Sequence, residues 1–579
     1  MIYDFANIEK KWQKYWEENQ TFHTDVWDFS KPKYYVLDMF PYPSGVGLHA
    51  GHPEGYTATD IMSRMKRMQG YNVLHPMGYD SFGLPAEQYA VDTGNHPNGF
   101  TQENIKTFSA QLKELGFDYD WSKMTATSNP DFYKWTQWIF KKLYEAGYAK
   151  RIEMPVNWCE ALGTVLANDE VIDGKSERGG YPVVKKMMMQ WVIDQPAFAE
   201  KLLEGLEEID WPESTKEIQR NWIGKSTGVE VDFKLVGGGE FSIYTTCIET
   251  IYGITFMVLA PDGKIVKGLM DRIENREEVQ AYIDEAVKKS EIDRTDASKT
   301  KSGCPLKGVY AINPVNGKEV PVFIGDFVLG NYGTGAVMAV PSHDQRDFEY
   351  AVVHNIPMIQ VIEGRDVSEC AFEKQDYLGK GCRLINSQEF TGMTVEEAKE
   401  AITVKLEKAG VARRKNNYHF REWIFARQRY WGEPVPCVYT EDGKTVFLPD
   451  EELPVVLPEL EDYKGRGGQA PLENATEWKQ YNANGIKGLR ETSTMPGSAG
   501  SSWYYMRYID PKNDKAFCDP ELLKHWMPVD LYIGGPEHAV GHLIYSRIWN
   551  RFLYDNGLGP VKEPFKKLVH QGMILGENG

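Results

Sequence analysis

The chain has 579 residues, too many for one hydrophobic core, so several domains are expected. Its 42% hydrophobic and 13% aromatic content excludes a disordered chain. No run of about 18 uncharged apolar residues and no apolar leader follows Met1, so no membrane partner and a cytoplasmic location are expected. The net charge of −18 argues against non-specific coating of nucleic acid, and seven scattered cysteines without a Cys-x-x-Cys pair argue against a disulfide framework or a thiolate metal cage.

Residues 4–18 place Phe5, Ile8, Trp12 and Trp16 at helical spacing, which predicts an amphipathic helix packed on a sheet. Residues 34–77 read as strand, Gly-rich turn, helix and strand, with Ile61, Met65 and Met68 as the apolar stripe of the helix and Gly70 as its C′ residue. That βαβ unit predicts a parallel sheet. In the turn, Gly45-x-Gly47-x-x-Ala50 formally matches a dinucleotide fingerprint, but the first carboxylate after the second strand is Asp80, too late to hold a ribose. The turn also carries His49 and His52, at i, i+3 in the first turn of a helix. There they either assist phosphate binding or are ordinary polar residues at a helix start.

Residues 101–148 again show helical spacing (Ile105, Phe108, Leu112, Leu115, then Trp135, Trp138, Ile139, Leu143), with the aromatics read as core. Residues 157–186 are Gly-rich and irregular. Structural zinc needs four Cys or His ligands, and here Cys159 is followed by no Cys until Cys247 and no His until His343. Residues 225–418 read as β-branched strands (229–233, 241–246, 320–324) around one charged helix near 277–289. The runs Arg413-Arg414-Lys415 and Arg421, Arg427, Arg429 are candidates for a basic groove or for solvated faces. Residues 529–542 form an apolar strand, a Gly534-Gly535 turn and a helix. His538 and His542 have the i, i+4 spacing of a zinc pair, but Glu537 precedes the first His where the metalloprotease motif has it following, and no metal is assigned.

Pro41-Tyr42-Pro43-Ser44-Gly45 with His49-Ala50-Gly51-His52 resembles the His-x-Gly-His motif of class I aminoacyl-tRNA synthetases. Together with Asp80-Ser81-Phe82-Gly83-Leu84-Pro85-Ala86-Glu87 and Gly534-Gly535-Pro536-Glu537-His538-Ala539, the chain resembles the leucyl branch of bacterial type. The resemblance implies an α/β fold, a Rossmann-like class I catalytic core with an inserted mainly-β editing domain and a small Gly-rich insertion. The implied division is a first core part at 1–156, a zinc-finger-like insertion without metal ligands at 157–187, a connection at 188–224, the editing domain at 225–418 and a second core part at 419–579. Relatives continue into a Lys-Met-Ser-Lys-Ser loop and a helical anticodon domain. This chain ends at Gly579 before either, so it is read as truncated and not expected to complete aminoacylation.

The resemblance further implies ATP with Mg2+, leucine and the leucine tRNA as partners, a monomer, and no structural zinc. His49 and His52 would face the ATP phosphates as catalytic groups. Gly51, Gly535, Glu537, Gly572 and Met573 would meet ATP, while Phe40, Tyr42, Asp80, Tyr532, His538 and His542 would bind leucine, with Asp80 on the ammonium. In the editing domain Thr245, Thr246, Thr250, Met338, Val340, His343, Asp344 and Asp347 would form the hydrolytic site. A second sieve is physically sensible, since an aliphatic pocket gains only about 1–3 kcal/mol per methylene. Relatives carry Arg-Pro-Asp where this chain has Cys247-Ile248-Glu249, a departure that bears on the rate and range of editing. The competing readings are an isoleucyl, valyl or methionyl enzyme, and a fragment competent only in editing hydrolysis or tRNA binding.

Overall fold

A computed structural model describes residues 4–43, 45, 47–287, 302–330, 333–464, 469–572 and 574–575. The chain divides into two compact units, Met1–Gly224 with His419–Gly579, and Lys225–Tyr418. The first is organised around a four-stranded sheet in the order Asn72–Leu74, Lys33–Asp38, Leu531–Ile533, Leu568–Val569, with every pairing parallel. Tyr35, Val36 and Leu37 are fully buried, as a parallel strand covered on both faces requires. The helix Gly51–Met68 makes the first crossover and ends as expected, with Gly70 at φ 88° and the Tyr71 N–H donating to the Lys66 carbonyl at 3.1 Å.

Its buried face is not the expected one. Ile61, Met65 and Met68 point outward, Met68 being 89% exposed, while Gly55, Tyr56, Thr59 and Ser63 are the buried residues. The large apolar stripe marks the helix but not its buried face: small and polar residues let the helix lie close, and Thr59 donates to both oxygens of buried Asp38 at 2.8 and 2.9 Å. The helix Phe5–Asn19 does not pack on the sheet either. It buries no residue fully and leans on neighbouring helices through Trp16 under Arg64 and the Lys113–Glu17 pair. In contrast, Ile105, Phe108 and Leu112 on Pro97–Glu114, and Trp135, Ile139 and Leu143 on Pro130–Glu145, are core as read, whereas Leu115 of the same reading is exposed and Trp138 is half-buried.

A long hairpin, Ala149–Cys159 with Val184–Ile193, runs across the expected boundary at 157 and carries the Gly-rich segment at its tip. The chain re-enters the first unit by adding Trp423–Ile424 to the edge of this hairpin.

The second unit is built on strands in the order Ala336–Ala339, Phe256–Leu259, Glu319–Gly325, Gly303–Ile312, Ser226–Leu235, Ala412–Asn417, with Glu240–Thr245 also paired to Ser226–Leu235. The expected helix spans Arg276–Ala286, and residues 288 and 289 of that reading lie outside the described residues. It is joined by Gln345–His354 and Val395–Lys408, so the expectation of one helix was too sparse. Val395–Lys408 buries Ala398, Ile402 and Leu406 against the same core as Val231, Ile243 and Ile251.

Candidate functional site

In the parallel sheet, Lys33–Asp38 connects to one side and Leu531–Ile533 to the other, so the crevice beyond their C-terminal ends is a topological switch point. Both loops singled out in the sequence leave from these two strands. After Lys33–Asp38 the chain turns into the helix Gly51–Met68. The imidazoles of His49 and His52 stack there at 3.7 Å with 28° between planes. Nδ1 of His49 accepts the Gly51 N–H at 3.1 Å and Nδ1 of His52 accepts the His49 N–H at 3.1 Å. With each Nδ1 an acceptor, each ring proton sits on Nε2, giving two neutral donors at a helix N-terminus. Burial, then the neighbouring His49, pushes the His52 pKa down to about 4. Gly47 serves packing: a Cβ there would strike the Gln111 side chain, whose Oε1 accepts the Leu48 N–H at 2.8 Å.

Beyond Leu531–Ile533, residues Pro536–His538 form one 3-10 turn and the helix His542–Asp555 follows. A Cβ on Gly535 would lie 2.1 Å from the Glu537 carboxylate, so this glycine makes room for its own neighbour's side chain. The Tyr532 hydroxyl lies 2.7 Å from Nε2 of His542 and 2.7 Å from the Tyr504 hydroxyl, while Tyr504 stacks on Phe40 at 3.8 Å. Burial, then His538, holds the His542 pKa down to about 3, so its ring is neutral. Phe40, Tyr532 and His542 thus form one continuous wall. Tyr42 stands apart from it, against Gly83, and burial followed by the Asp80 charge raises its pKa. Gly572 approaches Glu54 on the His52 helix, while Met573 lies outside the described residues.

Asp80, Glu537, His538 and His542 share a cleft of about 650 Å³. Asp80 accepts a hydrogen bond from Thr127 Oγ1 at 3.2 Å, and burial pushes its carboxyl up to about 7. Several further lining groups lie outside any motif. Asp169 and Glu170, on the hairpin-tip insertion, are tied to the core by a hydrogen bond from the Tyr545 hydroxyl to Asp169 and by Arg427 Nη2 donating to Glu170 at 2.6 Å. Arg427 belongs to the second basic run and does face the cleft. The first run does not form a bare basic groove: Arg413 pairs with Glu230 and Asp232, Arg414 with Glu400 and Glu407, and Lys415 with Glu230.

In the second unit, Thr245 ends a strand and its Oγ1 accepts the Cys247 N–H at 3.0 Å, while Thr250 Oγ1 donates to the Cys247 carbonyl at 2.8 Å. The adjoining turn meets the other expected residues through Val340. Its Cγ1 would touch a Cβ on Gly253 at 3.0 Å, and its N–H donates to Asp347 Oδ2 at 2.8 Å. Met338 pairs across to Met257, and Asp344 caps the helix Gln345–His354. Burial, then Asp344, holds the Asp347 carboxyl well above the usual carboxylate range. His343 is a buried clamp, Nδ1 donating to the Phe372 carbonyl at 2.9 Å and Nε2 accepting the Val361 N–H at 3.0 Å, so neither nitrogen is left for a ligand. Of the divergent triplet, Ile248 and Glu249 are buried, Glu249 accepting from Tyr377 at 3.0 Å, and Cys247 lies beside Thr246.

Two family models match this sequence. Residues 11–252 match tRNA synthetases class I (I, L, M and V), and residues 220–407 match the leucyl-tRNA synthetase editing domain. Among solved structures, the chain is similar to the agnB2 LeuRS of Agrobacterium radiobacter K84, crystallised as a ternary complex with tRNA and LeuAMS. Identity is 35%, the TM-score is 0.85, and the match covers 99% of this chain and 68% of that one.

Proposed function

Because the chain belongs to the leucyl branch of the class I aminoacyl-tRNA synthetases, we infer that the crevice at the switch point activates leucine with ATP and that the second unit hydrolyses mischarged tRNA. The enzyme is a leucine–tRNA ligase; ATP, leucine and tRNA are its substrates. The observation that carries the assignment of the reacting centre is the stacked pair His49 and His52 at a helix N-terminus, each with its Nδ1 accepting a backbone N–H.

In the proposed reaction a leucine carboxylate oxygen attacks the α-phosphorus of magnesium-bound ATP, and pyrophosphate leaves with the electron pair of the broken bond. In-line transfer of this kind is positioning plus charge stabilisation. His49 and His52 donate to phosphate oxygens as charge gathers there, helped by the helix dipole. Glu537 holds the ribose hydroxyls, and Gly51, Gly535 and Gly572 meet the nucleotide. Asp80 takes the leucine ammonium, and the wall of Phe40, Tyr532, His538 and His542, with Tyr42, receives the side chain. The tRNA terminal hydroxyl then displaces AMP.

In the second unit, Asp347 takes the ammonium of a wrong aminoacyl group, Thr245 and Thr246 hold the ester and its water, and Thr250 excludes leucine. Met338 and Val340 line this pocket, and Asp344 and His343 fix its frame. We propose that the insertion folds without zinc, since it holds no Cys or His beyond Cys159; elemental analysis finding one equivalent of zinc would refute this. We further propose a cytoplasmic monomer; among the described residues no helix is long and apolar enough to cross a membrane. Leucine-dependent ATP–pyrophosphate exchange, measured beside hydrolysis of isoleucyl-tRNA, tests the two activities together. The first is expected to need the switch-point crevice and the second only the inserted unit.

A further inference from the structure

Glu433 is a carboxyl that the reaction above does not use. It follows the segment of Arg427 and Arg429, is 0% exposed, and neither side-chain oxygen has a hydrogen bond of good geometry, only the weak approach of its own amide and the Gly500 amide. Unpaired burial of this kind costs a carboxylate several kcal/mol, so such groups stay protonated. Burial drives its pKa well above the carboxylate range, outweighing the opposing pull of its own amide and, with the Asp80 charge adding to the rise, that of the Gly500 amide.

Its surroundings explain why a buried acid is kept there. Gly500 is wedged between Glu433 and Thr127: a Cβ on it would lie 2.9 Å from Glu433 Oε1 and 3.0 Å from Cβ and Cγ2 of Thr127. Thr127 in turn donates to Asp80 Oδ1 at 3.2 Å while accepting the Ser81 N–H at 2.9 Å, so it fixes both the Asp80 carboxyl and its backbone neighbour. On the other side, the Glu433 carbonyl accepts the Met495 N–H at 2.8 Å. Met495, Pro496, Gly497 and Ser498 line the same cleft as Asp80. One side chain and its own backbone thus brace both sides of the place where Asp80 points.

We infer that Glu433 is a positioning residue for the leucine-ammonium subsite, a neutral wedge that seats the Ser498–Ser501 turn against Thr127 and so fixes Asp80. The inference rests on the reading of Asp80 as the ammonium-binding carboxylate. A neutral acid acts by shape, so the isosteric amide should replace it and a truncation should not. Any loss should also be confined to ligands with an ammonium group.

The test measures dissociation constants of leucine, leucinol and ATP, by calorimetry, for Glu433→Ala, Glu433→Gln, Gly500→Ala and Asp80→Asn. Glu433→Ala is expected to weaken leucine and leucinol alike by about tenfold or more, with ATP unchanged within about twofold and Glu433→Gln close to the unmodified protein. Gly500→Ala, which keeps Glu433 but forces it away from Thr127, is expected to show the same ammonium-specific loss, and it carries the test if Glu433→Ala does not fold. Unchanged leucine binding in Gly500→Ala, equal weakening of ATP and leucine, or a Glu433→Gln variant as impaired as Glu433→Ala would overturn the inference. If Asp80→Asn itself leaves leucine binding unchanged, the reading of Asp80 is what fails; if it weakens leucine while the Glu433 and Gly500 variants do not, only the role of Glu433 fails.

Discussion

The imidazole of His52 lies 3.7 Å from that of His49, each with its Nδ1 occupied by a backbone N–H of the same turn. Two imidazolium ions would not stack at that distance, and both rings act as neutral donors through Nε2. Removing one should cost transition-state stabilisation rather than substrate affinity. His52→Ala is expected to lower the rate of leucine-dependent ATP–pyrophosphate exchange by about 100-fold, as for other preorganised donors, with leucine Kd changed less than about twofold. A loss of leucine affinity equal to the loss of rate would count against this role.

The Asp80 carboxyl, held up to about 7 by burial, must ionise to pair with an ammonium. Its charged form appears only as pH rises through about 7, so leucine affinity should be full above that value. Below it, affinity should weaken by up to about tenfold per pH unit. Calorimetric titration with leucine between pH 5.5 and 8.5 checks this. Asp80→Asn should bind weakly with no such slope, and a slope that survives the substitution would assign it to another group. His52, with a pKa of about 4, is not expected to contribute a limb in this range.

Behind the site, His75 is fully buried with Nδ1 2.7 Å from Asp118 and Nε2 3.2 Å from Asp38. Burial opposes its charge, but Asp118 and then Asp38 outweigh it and hold the pKa up to about 9. A histidine raised above its unfolded value of about 6.5 contributes stability that is complete below that value and is lost as pH rises through about 9. The shift corresponds to a contribution of about 3 kcal/mol. The melting temperature of the catalytic unit should therefore fall between pH 6.5 and 9.5. His75→Gln should melt lower at pH 6 and largely lack that fall; a parallel pH dependence in both proteins would contradict it.

The βαβ unit was legible because strand, turn and helix each carry a local signal, down to Gly70. The face of the helix was not, since Ile61, Met65 and Met68 satisfy helical spacing while close approach to the sheet selects Gly55, Thr59 and Ser63. Leu568–Val569 is too short to show periodicity, and it exists because the edge of Leu531–Ile533 offers it a parallel partner. Candidate residues on motif loops could be proposed in advance. Thr127, Asp169 and Glu433 could not, because what distinguishes them is approach from distant parts of the chain, as between Asp169 and Tyr545.

Asp347 in the second unit, like Asp80 in the first, is a carboxyl that burial holds above the usual carboxylate range. Asp347→Ala is expected to abolish hydrolysis of isoleucyl- and norvalyl-tRNA. Thr250→Ala should open the pocket so that correctly charged leucyl-tRNA is hydrolysed as well. Release of labelled amino acid from each charged tRNA measures both, and leucyl-tRNA left intact by Thr250→Ala would remove the threonine from its proposed role.

The most direct test of the central claim is the relative affinity of the crevice for aminoacyl sulfamoyl-adenylates carrying leucine, isoleucine, valine or methionine, measured by calorimetry on one preparation. A site built from Phe40, Tyr532, His538 and His542 around Asp80 predicts tightest binding of the leucyl compound, by about 10-fold or more over each of the others. Equal or tighter binding of any of the other three would contradict it.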